Sequence, residues 1–169
     1  MENYILMALI VGSLVLLVYL WTERKNKNVK VPNIPVSRDE KAIFALKMQA
    51  YERLSLFLER SKPQSLLMRL MHKTSDAKQL QLLLLNTIRE EFEHNFSQQI
   101  YVSESLWQSI SMAKDRLIQL INKAASTTDV ETKERLGEEL LMQYSNEKED
   151  YIGTTLQQLR KEARIIQGQ

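Results

Sequence analysis

The stretch Lys78–Phe96, KQLQLLLLNTIREEFEHNF, sets the structural class of this chain. Leu80, Leu83, Leu84, Ile88, Phe92 and Phe96 recur at steps of three and four, the period of a helix that buries one face. This reading makes the segment the centre of the core. Just before it, Thr74-Ser75-Asp76 is a cluster of cap-type residues, whose side chains accept from the first free N–H groups of a helix.

Upstream, Ser37-Arg38-Asp39-Glu40 fits a capping box. The stripe Ile43, Leu46, Ala50, Leu54, Phe57 and Leu58 then predicts an amphipathic helix to about Arg60. Ser61-Lys62-Pro63 ends it and starts another, since proline suits a first helical turn. Residues Gln64–Lys73, with Leu66, Leu67, Leu70 and Met71, form a short buried helix or tight connector.

Downstream, Ser97–Val102 is rich in amides, aromatics and β-branched residues and reads as a bend, with Ser103 capping the next helix. Leu106, Trp107, Ile110, Ala113, Leu117, Leu120 and Ile121 give that helix its apolar face, to about Ala125. Ser126–Asp129 is a polar break carrying the following cap. From Val130 to about Gln167 the register Leu136, Leu140, Tyr144, Tyr151, Thr155, Leu159 and Ala163 fits one helix or two, with Gly137 and Gly153 as weak points.

The N-terminus is of a different kind. Tyr4–Trp21, YILMALIVGSLVLLVYLW, runs eighteen residues without a charge, about 27 Å as a helix and close to the hydrocarbon thickness of a bilayer. Tyr4 at one end and Tyr19 with Trp21 at the other suit the two headgroup layers. No basic n-region or small-residue cleavage site accompanies it, so an anchor is expected rather than a cleaved signal. Arg24, Lys25 and Lys27 follow the span, which by the positive-inside rule places the N-terminus outside and the rest in the cytosol, at the inner membrane. Residues 28–36 contain Pro32 and Pro35 and read as a short stiff spacer. The expected organisation is an anchor with its basic flank over 1–27, a linker over 28–36, and an all-α antiparallel bundle over 37–169.

Composition excludes several function classes. The 169 residues hold four glycines, three prolines and no cysteine, which favours helix and removes disulfides, thiolate metal sites and cysteine nucleophiles. Of 23 basic and 21 acidic residues, four and two lie in 1–36, so 37–169 carries 19 of each. A formally neutral domain lacks the broad positive field of a nucleic-acid binder. No G-x-S-x-G elbow or phosphate-binding glycine loop occurs. The reading is therefore non-enzymatic and without a cofactor.

One fragment of metal chemistry is present: Glu91 and His94 have the i, i+3 spacing of an E-x-x-H ligand pair. It is half a site, because the other histidine, His72, has Arg69 three residues before it and no second pair exists. A membrane-anchored metal enzyme or sensor is the alternative function this leaves open.

Two features point to partners. Glu93, His94, Asn95, Gln98, Gln99, Tyr101 and Trp107 concentrate amides and aromatics at a helix end, where they either satisfy a bend or form a binding surface. The terminal segment, acidic over Glu131–Asp150 and basic over Arg160–Arg164, suits coiled-coil-like pairing with a partner or with itself.

QAYERLSLFLER at Gln49–Arg60, IREEFEHNFSQQIYVS at Ile88–Ser103 and Trp107 resemble a family of uncharacterised membrane-anchored proteins of Bacteroidota. The resemblance covers nearly the whole chain and implies the same architecture, anchor included. It carries no activity, substrate or cofactor. The expected function is a membrane-tethered scaffold that binds partners by helix packing.

Overall fold

The computed structural model describes Leu16, Tyr19, and residues 39–127 and 131–168. The anchor residues Tyr4, Trp21, Arg24, Lys25 and Lys27, the 28–36 spacer and the Ser37 cap lie outside the described residues. Tyr19 is helical and exposed. No helix among the described residues is long and apolar enough to cross a membrane.

Residues Glu40–Gln169 form one compact unit. It is all-α: α1 (Asp39–Ser61), α2 (Pro63–Leu70), α3 (Ala77–His94), α4 (Glu104–Ala125), α5 (Lys133–Ser145) and α6 (Tyr151–Gln167). A 3-10 turn over Met71–Lys73 follows α2, and a 3-10 segment over Phe96–Tyr101 joins α3 to α4.

Each boundary has a local cause. Pro63 occupies the first turn of α2, where its missing N–H costs nothing. Asp76, Ser103, Thr132 and Asp150 each accept from the N–H three residues on, opening α3, α4, α5 and α6. The cap of α5 is thus Thr132 rather than a residue of Ser126–Asp129. The terminal segment is two helices, and neither glycine breaks it: Gly137 lies inside α5 and Gly153 in the first turn of α6. The break falls at Asn146–Asp150, where Asp150 caps α6 and also accepts from the Tyr144 hydroxyl at 2.6 Å.

Helices α3 and α6 both pack antiparallel to α4. Gln81 meets Asn122 while Phe92 meets Trp107, so α3 and α4 run in opposite directions. Ser109 meets Gln158 and Arg116 lies over Tyr151, so α4 and α6 do too. The centre of the core is α4 rather than α3. It lies against α3, α5 and α6 and buries Leu106, Ile110, Ala113, Leu117, Leu120, Ile121 and Ala124. Among the four leucines Leu82–Leu85, Leu84 and Leu85 are buried and Leu82 faces out, as the 100° step of a helix requires.

The α1 stripe is buried only in part. Ala50, Leu54, Phe57 and Leu58 are buried, but Ile43 and Leu46, on the same face, are 50% and 44% exposed. Every residue from Glu40 to Leu46 is exposed. The first turns of α1 therefore run past the bundle.

Candidate interaction surface

The corner between α3 and α4 carries the expected partner residues. Phe92 stacks on Trp107 with centroids 5.2 Å apart, and Phe57 lies 5.9 Å from Phe92. Phe96 meets Trp107 edge-on at 5.7 Å. Lys114 Nζ sits 4.6 Å from the Phe92 ring centre, a favourable position for a cation. These rings form one packed cluster. Phe96, expected on the core face of α3, has left the helix, and 52% of it is exposed; Ile100, one turn on, is 73% exposed.

The corner is also pinned from the side. Arg53 of α1 donates through Nη2 to the His94 carbonyl at 3.2 Å and through Nε to Asn95 Oδ1 at 3.4 Å. Asn95 Nδ2 donates to the Glu91 carbonyl at 2.7 Å. At the far end, Ser103 donates its N–H and hydroxyl to Glu162 at 2.8 and 2.6 Å. Gln98, expected as a contact residue, is buried and bonds Ser97. Gln99, Tyr101 and Trp107 are half-buried, while Glu93 and His94 are exposed. The exposed apolar side chains of the corner are therefore Phe96 and Ile100, with Glu93 and His94 exposed in the last turn of α3 and Gln99 half-buried between Phe96 and Ile100 in the chain. The signal in the sequence was Ile100 itself, an isoleucine among amides with no apolar stripe to join.

Glu91 and His94 have separate hydrogen-bond partners. Glu91 Oε1 accepts from Arg60 Nη2 and Arg69 Nη1, both at 3.1 Å. Burial alone would raise the Glu91 carboxyl, but the hydrogen bonds and charges of Arg60 and Arg69 outweigh it and hold it below the ordinary carboxylate value. A metal at Glu91 would displace two guanidiniums. His94 Nδ1 lies 2.7 Å from the Glu90 carbonyl, which fixes the proton on Nδ1. Among the described residues no group of three or more His, Cys, Asp or Glu side chains gathers to hold a metal ion. Glu91 instead ties α3 to α1 and α2.

A second outward surface lies between α2 and α5. Leu67, Met68, Met71, Gly137 and Leu141 floor an apolar hollow of about 380 Å³, with Glu134 and Glu138 beside it. Gly137 lets the Met71 methyl approach, for a Cβ there would lie 2.6 Å from it.

The model of a family of unknown function, DUF7935, matches residues 1–166. The chain belongs to this family. No curated protein and no solved structure matches it. For this DUF7935 chain, function is thus to be argued from its own surfaces.

Proposed function

We propose that this protein is a membrane-tethered helical interaction module, in which the apolar stretch over residues 4–21 holds the chain at the inner membrane and the cytosolic bundle docks a protein partner. The observation that supports it is the corner displaying Phe96 and Ile100. A half-exposed Phe96 packed edge-on against Trp107 and Phe92, with exposed Ile100 in the same 3-10 segment and the corner held by Arg53 and Glu162, offers a preordered contact that loses little entropy on binding. The fitting partner is a helix offering an apolar pair to Phe96 and Ile100 and polar groups to Glu93, His94 and Gln99. Pairing through one long terminal helix is not part of the proposal, because α5 and α6 are separate helices of 13 and 17 residues.

The test is photo-crosslinking in the native membrane from a photoreactive residue at position 96 or 100 of the full chain, with Lys123 as the distant control. One membrane protein crosslinked reproducibly from 96 and 100 but not from 123 is the expected result. Equal, diffuse labelling from all three positions overturns the assignment of this corner. A reporter fused at Gln169 that proves accessible from the non-cytosolic side overturns the orientation.

A further inference from the structure

The exposed start of α1 and the end of α6 carry a second chemistry. On α1, Ile43 and Leu46 continue the stripe of Ala50 and Leu54 beyond the core, and Phe44 stands beside them, 43% exposed. The last turn of α6 reaches only to Met48, which Gln167 Nε2 meets at 3.9 Å. Nothing among the described residues covers the two turns before it. A run of KAIFALK from Lys41 to Lys47 is thus left as an apolar helix surface flanked by two lysines.

The adjoining end of α6 is basic. Arg160, Lys161 and Arg164 border one surface hollow together with Gln157 and Ile165, and Ile165 is 67% exposed. Tyr51–Glu162 and Met48–Gln167 place these turns alongside α1. Two acids of this end are already engaged: Glu162 accepts from Tyr51 and Ser103, and Glu59 pairs with Lys62 and Arg160. Asp39 and Glu40 also stand at the start of α1, and Arg160 lies back along it at Glu59, so the cations toward the apolar ridge other than the paired Arg160 are Lys41 and Lys47 of α1 and Lys161 and Arg164 of α6.

We infer that this end of the bundle is a docking face for an anionic lipid surface, with Ile43, Phe44 and Leu46 entering the headgroup boundary and the cations of α1 and α6 holding lipid phosphates. Apolar side chains rimmed by Lys and Arg are the pattern of a surface that lies in the bilayer interface. Chain length favours a bilayer over another occupant. Seventeen residues separate Trp21 from Asp39, so the ridge stays within about 60 Å of the end of the apolar stretch even with the link fully extended. The inference rests on the membrane tether proposed above, and its consequence is orientation: α1 and α6 face the lipid, and the Phe96–Ile100 corner is held for a partner.

The chain has no cysteine, so Ala42→Cys, an exposed position, takes a single environment-sensitive fluorophore on the full-length protein. The protein is reconstituted in vesicles of phosphatidylcholine alone and of phosphatidylcholine with phosphatidylglycerol. In the anionic vesicles the label is expected to shift to the blue and to be quenched by headgroup-level nitroxide lipids; in neutral vesicles both effects are weaker. Lys161→Gln and Arg164→Gln should each reduce the docked-to-free ratio about fivefold, Arg160→Gln less because its guanidinium pairs with Glu59, and high salt should reverse docking, with far-UV circular dichroism unchanged. A label that reports water in both vesicle types overturns the docking face. So does a blue shift that follows protein density rather than lipid charge, which assigns the ridge to a second copy.

Alkaline carbonate extraction separates this from the tether. Protein retained by carbonate but with a water-exposed label keeps the tether and sinks the docking face. Protein released by carbonate that still floats with anionic vesicles at low salt, and loses this with the three α6 substitutions, sinks the tether and keeps the docking face.

Discussion

Tyr51 of α1 donates a 2.6 Å hydrogen bond to Glu162 of α6, joining residues 111 positions apart. The same carboxylate accepts from the N–H and the hydroxyl of Ser103 at 2.8 and 2.6 Å. One side chain thus fastens α1, α6 and the start of α4 together at the base of the Phe96–Ile100 corner.

Glu162→Ala leaves three donors without their acceptor and should cost about 2–3 kcal/mol, against about 1 kcal/mol for Tyr51→Phe. Urea unfolding reads this as a lower midpoint at unchanged slope. Equal midpoints for the two variants would show that Ser103 draws nothing from the carboxylate.

Acid and alkali should act through different pairs. Burial alone would raise the carboxyls of Glu91, Asp150 and Glu162, but hydrogen bonds from Arg60 and Arg69, from Tyr144, and from Ser103 and Tyr51 outweigh it, and all three are depressed. A depressed carboxyl gives stability that is present above its unfolded value, 4.5 for Glu or 3.8 for Asp, and is lost as pH falls through the lower folded value. Tyr51 and Tyr144 are raised, first by burial and then by their bonds to Glu162 and Asp150, so their contribution is present below 10.0 and fades above it. Urea midpoints measured against pH should form a plateau that falls below 4.5 and above 10.0. Tyr51→Phe with Tyr144→Phe should make the alkaline fall shallower.

Glu91 should behave as a structural anion. Glu91→Ala leaves Arg60 and Arg69 facing one another and should lower stability by about 1–2 kcal/mol, the bonds being partly solvated. A strong chelator should leave the thermal midpoint unchanged. If chelation lowered the midpoint of the native protein and not that of Glu91→Ala, the carboxylate would be a metal ligand.

The two helical glycines should respond in opposite directions. At Gly137 the added methyl crowds the flexible tip of Met71, which can turn away, and meets Leu67 at ordinary contact distance, and alanine gains up to about 1 kcal/mol of helix propensity. At Gly153 it would run into the Asp150 carboxylate. That carboxylate caps α6 and holds Tyr144, and losing the cap costs about 1 kcal/mol. Thermal melts should therefore show Gly137→Ala at or above the native midpoint and Gly153→Ala below it.

Much of the bundle could be read from the chain because capping is local. Asp76 and Ser103 satisfy N–H groups three residues away, so the information that starts α3 and α4 lies within one turn. The stripes of α3 and α4 were legible for the same reason. The pause at Asn146–Asp150 was harder, since it depends on Arg116 of α4 meeting Glu147 at 2.6 Å as well as on Asp150. Gln98, expected as a contact residue, turned inward, and Phe96, expected on the core face, turned outward, a reversal produced by the 3-10 segment, whose tighter turn takes Phe96 off the face that Ile88 and Phe92 share.

The sequence by itself determined the helical class, the Pro63 boundary, the caps at Asp76 and Ser103, and the apolar residues of α2 to α4, because helix period and capping are properties of neighbours in the chain. Only the tertiary structure decided which apolar residues are left outside and which charges are spent internally. Ile43 and Leu46 share a face with Leu54, yet one end of that stripe meets a core and the other does not. Glu91 looks like a ligand until Arg60 and Arg69 arrive from other helices. Exposure and charge pairing depend on what lies opposite a side chain, and a single stretch of sequence does not contain its own neighbour.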